Sequence, residues 1–78
     1  MKKIYLTATQ TSSVLFISDA LLSYWKKNGL GPKPTTRAGK LFYEWSDIEA
    51  FIKSKQEAHA DLAKRRTKRL NEYRGNHE

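Results

Sequence analysis

The chain has 78 residues, with fifteen Lys and Arg against eight Asp and Glu for a formal net charge of +7, no cysteine, and a mean hydropathy of −0.75. This length supports one small domain, and the lack of thiols excludes disulfides and thiolate metal sites, so packing alone must hold the scaffold. The two histidines, His59 and His77, stand far apart without a ligand set at metal-binding spacing; both read as solvated surface residues, and neither a metal nor a cofactor is expected.

No run approaches the ~20 apolar residues needed to cross a bilayer, and Met1 to Thr7 is too short for a signal-peptide core, so a soluble, untargeted, cytoplasmic chain is expected. Positive charge attracts phosphate backbones, anionic membranes and acidic proteins alike, which leaves the arrangement of residues to choose the partner. Ile4-Tyr5-Leu6 is a short apolar lead-in. Thr7-Ala8-Thr9-Gln10 has capping-box spacing, which predicts a helix beginning at Ala8. That helix is weak through Thr11-Ser12-Ser13, whose hydroxyls compete for backbone bonds, and it turns apolar only at Val14-Leu15. Phe16 and Ile17 then lead to Ser18, an N-cap, and a second short helix runs to Gly29, which can close it in the left-handed conformation. Two short helices meeting at a tight turn form a helix-turn-helix pattern.

Along the second helix, Leu22 and Trp25 share a side with Ile17, while Ala20, Ser23, Tyr24 and Lys27 lie on the other. By spacing alone that second side is an ordinary solvated face, but its small, polar, aromatic and cationic residues also suit a nucleic-acid groove. Leu30-Gly31-Pro32-Lys33-Pro34 forbids further helix. Thr35-Thr36-Arg37 and Lys40-Leu41-Phe42-Tyr43, around Ala38-Gly39, predict a hairpin that packs on the helices, with Arg37 and Lys40 flanking its tip. Ser46-Asp47-Ile48-Glu49 reads as a second capping box opening a third helix, with Ile48, Phe51 and Ile52 on its apolar face. Trp25 and Trp45 read as core aromatics, and the folded core is expected to span Ile4 to about Ile52. From Lys53 onward helix propensity stays high but apolar residues are sparse. The run of Lys64, Arg65, Arg66, Lys68 and Arg69 then reads as part of a helical or partly disordered arm. The expected fold class is mainly α with a small β-hairpin.

Several separated stretches agree in order and spacing with one family: Leu6-Thr7, Ile17-Ser18, Leu22, Trp25 to Pro32, Phe42-Tyr43 and Ser46 to Ile52. Together they resemble the small winged helix-turn-helix family of phage excisionases and AlpA-type regulators, related to the MerR domains. The resemblance covers Tyr5 to about Lys53, so residues 4–53 are expected to form a winged helix-turn-helix domain and residues 54–78 a basic C-terminal arm. Three positions depart from the family pattern. Phe16 stands where glycine is usual between the first two helices, Thr11 and Ser12 stand where an apolar pair is usual, and Leu21 replaces a commonly polar residue.

The resemblance implies double-stranded DNA binding, with the second helix in the major groove and the hairpin wing in an adjacent minor groove. It assigns Ser23 and Tyr24 to bases or phosphates and Lys27 to the backbone; Asp19 is a first-turn charge with a base role, and Ser18, Ala20 and Lys26 complete the recognition helix. Arg37 and Lys40 serve the wing. Lys64, Arg65, Arg66, Lys68 and Arg69 would add sequence-independent affinity or meet integrase or further copies of the chain. Family members act without catalysis, as excisionases that direct recombination or as transcriptional regulators of prophages and mobile elements, in the nucleoid of a bacterial host cell. The alternatives are a protein-interaction module, such as an antirepressor or inhibitor gripping an acidic partner, and the DNA-recognition protein of a phage packaging machine. No acid, base or nucleophile constellation suggests an enzyme, and neither a membrane nor a small-molecule substrate is expected.

Overall fold

Four helices and a three-stranded antiparallel sheet make up the described residues, 3–76, of the computed structural model, with side chains described through Tyr73. The order is β1 (Tyr5–Thr7), α1 (Ala8–Leu15), α2 (Asp19–Lys27), β2 (Pro34–Arg37), β3 (Lys40–Glu44), α3 (Trp45–Ser54) and α4 (Ala60–Asn76). His77 lies outside the described residues, and His59 is exposed.

The apolar lead-in is the strand β1, which makes the sheet one strand larger than the expected hairpin. Tyr5, Leu6 and Thr7 pair with Glu44, Tyr43 and Phe42, and β2 occupies the other side of β3. A three-residue strand is too short to display an alternation, and its partner lies far along the chain, so local pattern could not reveal it. Once paired, the strands send Leu6 and Tyr43 into the core and leave Tyr5 and Phe42 on the opposite face. Burial pushes the Tyr43 phenol above its ordinary pKa. The hairpin turns through Ala38 and Gly39, at φ 52° and 77°, so both central residues are left-handed, as a tight two-residue hairpin turn requires.

The first capping box forms as expected. Thr7 Oγ1 accepts from Gln10 N–H at 3.1 Å, and Gln10 Oε1 accepts from Thr7 N–H at 2.9 Å. The second does not form, because β3 runs directly into α3. Trp45 N–H donates to the Ile4 carbonyl at 2.8 Å, continuing the β1–β3 pairing, and Glu44 occupies the cap position without a side-chain cap bond. Ser46 falls inside the first turn instead. Its hydroxyl donates to the Glu44 carboxylate and, with Lys3 at 3.5 Å, holds that carboxyl below the usual range against the opposing effect of desolvation.

The core does not stop at Ile52. Turns from Lys55 to Ala58 follow α3, and α4 packs against both α1 and α3. Ala63, Arg66 and Leu70, spaced by three and four residues on one helical face, are only 6%, 5% and 1% exposed. The arm is therefore a wall of the core. Its inward face holds one small residue, one leucine and an arginine stem, a weak apolar signal among Lys64, Arg65 and Lys68. Trp25 and Trp45 are half-buried against the core's margins rather than enclosed within it.

Removing the Leu70 side chain should cost about 2–5 kcal/mol, as for other buried leucines. Leu70→Ala is accordingly expected to lower the thermal midpoint by well over 5 °C, taking roughly 4–8 °C per kcal/mol for a chain of this size. A chain ending at Ser54 should lose its cooperative melt altogether; a sharp transition at the original temperature would show that α4 is dispensable.

Candidate nucleic-acid interface

Helix α2 is held at both ends and along its back. At the start of α2, Ser18 Oγ accepts from Leu21 N–H at 3.1 Å, with Asp19 in the first turn and Lys26 and Lys27 in the last, each charge favourable to the helix dipole. At its end Gly29 adopts φ 69° and Leu30 N–H donates to the Trp25 carbonyl at 2.8 Å. Along its back Leu22 is 2% exposed, and Trp25 meets the Phe51 ring at 5.4 Å.

The tight turn before α2 repeats the same closing device without a glycine. Ile17 N–H donates to the Ser12 carbonyl at 3.0 Å, and Phe16, at φ 59°, takes the left-handed role. A side chain in that conformation costs roughly 1–2 kcal/mol. The compensation comes from α4. Arg69 lays its guanidinium 4.3 Å from the Phe16 ring centre while its Nη1 donates to the Ser13 carbonyl at 3.2 Å, and Arg66 Nε donates to the Leu15 carbonyl at 2.9 Å. The Leu15 carbonyl at the end of α1 thus receives a charged donor from the far end of the chain, and the Ser13 carbonyl, which already accepts from Phe16 N–H at 3.2 Å, receives a second one. Arg66 also stacks near Phe51 at 5.7 Å, and burial lowers its pKa from the ordinary arginine value.

Thr11 and Ser12, the polar pair in apolar positions, are buried and satisfied. The Thr11 hydroxyl donates to the Thr7 carbonyl at 2.8 Å, and the Ser12 hydroxyl lies within hydrogen-bond reach of both the Thr9 carbonyl and the Asp19 carboxylate. Asp19, the expected first-turn charge, is exposed and also ties the start of α2 to α1.

What remains outward on α2 is the expected face: Ala20, Ser23, Tyr24, Lys26 and Lys27 are all exposed, Tyr24 at 58%. Leu21 is 38% exposed beside them. On the hairpin Lys40 is exposed and stands directly across from Arg37. Arg37 is exposed as well, with its guanidinium 4.4 Å from the Tyr5 ring centre on the outer face of the sheet. The basic run divides in two. Lys64, Arg65 and Lys68 are exposed, whereas Arg66 is buried against the Leu15 carbonyl and Arg69 is half-buried with Nη1 on the Ser13 carbonyl, which takes Arg66 out of the expected basic surface. Helical spacing alone could have separated Arg66 from its neighbours, but not without knowing which face of α4 meets α1.

Among the described residues no group of three or more His, Cys, Asp or Glu is disposed to hold a metal ion, and no helix is long and apolar enough to cross a membrane. The ion pair among them is Lys3–Glu44. No protein-family model, curated protein or solved structure matches this chain.

Arg66→Ala should destabilise the fold by about 1–3 kcal/mol, the cost of stranding a buried carbonyl, plus the packing of its stem. Lys64→Ala, Arg65→Ala and Lys68→Ala should each stay within about 0.5 kcal/mol of the parent in chemical denaturation. Gly31 offers a separate check on Trp25: at φ 71°, a Cβ built there would lie 2.6 Å from Trp25 Cε3. Gly31→Ala should therefore cost more than Gly29→Ala, whose position at φ 69° is open, and an equal loss in both would mean the Trp25 ring yields freely.

Proposed function

We propose that this chain is a sequence-specific double-stranded DNA-binding protein. In this reading α1, the Phe16 turn and α2 act as a helix-turn-helix, with β2 and β3 as its wing. The observation that carries it is the outward face of α2: Ala20, Ser23, Tyr24, Lys26 and Lys27 stand exposed on a helix fixed at both ends and tied to α1 through Ser12 and Asp19. Small and polar side chains let the helix approach base edges, Tyr24 supplies a hydroxyl and an apolar ring, and the lysines supply the phosphate binding that sets the register. Ser18 caps the helix and adds a backbone N–H-rich terminus suited to phosphate. Lys40 and Arg37 give the hairpin its positive charge, and Lys64, Arg65 and Lys68 add sequence-independent attraction. The role that fits a small, basic, non-catalytic chain of this kind is that of an excisionase or transcriptional regulator of a phage or mobile element, working in the bacterial cytoplasm.

The test is a duplex recovered by selection from a random pool, titrated by gel shift at several salt concentrations. Lys27→Ala and Lys40→Ala are each expected to weaken binding and to make the slope of log K against log salt shallower by about 0.9 for each phosphate that the removed lysine had neutralised. Tyr24→Ala should erode preference for the selected site over random duplex, and Lys53→Ala on α3 should change little. All variants should melt within a few degrees of the parent. Undiminished binding by both the Lys27 and Tyr24 variants would remove α2 from the interface. Recombination and promoter roles separate by genome-wide mapping of bound sites in the native host, the first predicting attachment sites beside an integrase gene.

A further inference from the structure

The sheet has two unlike faces. Leu6 and Tyr43 point inward and are fully enclosed, whereas Tyr5 and Phe42 lie half-buried on the outer face, their rings edge-on with centres 6.4 Å apart. The Arg37 guanidinium rests over Tyr5 at 4.4 Å, and the exposed Lys40 stands across from Arg37 at the turn. Together Tyr5, Arg37, Ala38, Lys40 and Phe42 line an open cleft. Among the described residues no carboxylate lines it; Glu44, on the neighbouring stretch of β3, is engaged by Ser46 and Lys3.

Two aromatic rings and a guanidinium plane, bordered by a lysine, match a ligand that is flat, π-faced and anionic at regular intervals. We propose that this outer face binds single-stranded nucleic acid, with an unstacked base lying on one of its two planes, the Phe42 ring or the Arg37 guanidinium that Tyr5 supports from behind, and the adjoining phosphate held by Lys40. In a duplex the base faces are stacked on one another, so only a single strand can offer them to this cleft. An acidic peptide would satisfy Arg37 and Lys40 but has no use for the two rings. This site is separate from the outward face of α2, although it shares Arg37 and Lys40 with the hairpin wing of the duplex reading; Tyr5 and Phe42 belong to it alone.

The test is fluorescence anisotropy of labelled dT12 and rU12 with the full chain at low salt. Binding of one or both is expected, and the pair separates DNA from RNA as the source of the bases. An abasic oligomer of equal charge should bind roughly tenfold more weakly, since stacking of one base typically supplies that much. Tyr5→Leu and Phe42→Leu, which keep an apolar side chain but remove the plane, should each weaken dT12 by a similar factor. Lys27→Ala should leave dT12 binding unchanged while impairing the selected duplex, so loss of either activity is distinguishable from loss of the other. Equal binding of dT12 and the abasic oligomer by the unaltered chain overturns the proposal without recourse to any variant. So does failure to bind either strand, or displacement of dT12 by oligoglutamate as readily as by unlabelled dT12.

Discussion

The bond from Arg66 Nε to the Leu15 carbonyl closes the chain on itself, and the aim of α2 depends on it. Helix α1 is eight residues long, starts from a capping box, and ends in a left-handed phenylalanine. Such a helix is marginal alone, because short helices gain little from their own hydrogen bonds and draw stability mainly from tertiary packing. Arg66 and Arg69 strengthen α1 at its C-terminus with a donor for the Leu15 carbonyl, a second donor for the Ser13 carbonyl, positive charge at the negative end of its dipole, and a guanidinium plane over the Phe16 ring. A hydrogen bond with a charged partner contributes about 1.5–3 kcal/mol. Against a total of roughly 0.05–0.15 kcal/mol per residue, that is a large part of what keeps so small a domain folded.

The same geometry explains how a strained residue persists at the turn between α1 and α2. Phe16 carries a conformational cost that glycine would avoid, yet its ring gives Arg69 a surface to lie on, and Arg69 in turn reaches the Ser13 carbonyl and hydroxyl. Turn and α4 therefore specify each other. Asp19 and Ser12 add a second tie between α1 and α2, so the angle between those helices is fixed by polar bonds as well as by Leu15 and Leu22 in the core.

On the sheet side, β1 does for the hairpin what α4 does for α1. Two strands alone would be marginal, and the third strand, with Leu6 packed beside Tyr43, anchors β3 against the helices. Because β3 passes into α3 without a loop, the hairpin inherits the position of α3, and Trp45 N–H bonded to the Ile4 carbonyl fixes that junction. The outer face is then left with aromatic and cationic side chains whose arrangement is set by strand alternation rather than by any helix.

Much was legible in local sequence because the signals act over three or four residues. Thr7 with Gln10, Ser18, Gly29, and the Ala38-Gly39 turn each operate through backbone groups close by, and each appears where its chemistry dictates. The outward set on α2 follows equally from helical period and from the burial of Leu22. What sequence could not decide was which distant groups meet. Ser46 lost its capping role because pairing with β1 carried β3 up to Trp45; Arg37 lies on Tyr5 because the third strand brought that ring within reach; Arg66 and Arg69 meet α1 because its end presents the Leu15 and Ser13 carbonyls to that face of α4. A cation looks the same in sequence whether it faces solvent or a helix terminus. Only the tertiary structure brings the carbonyl to the arginine, and so only it separates the charges available to a partner from those that hold the fold.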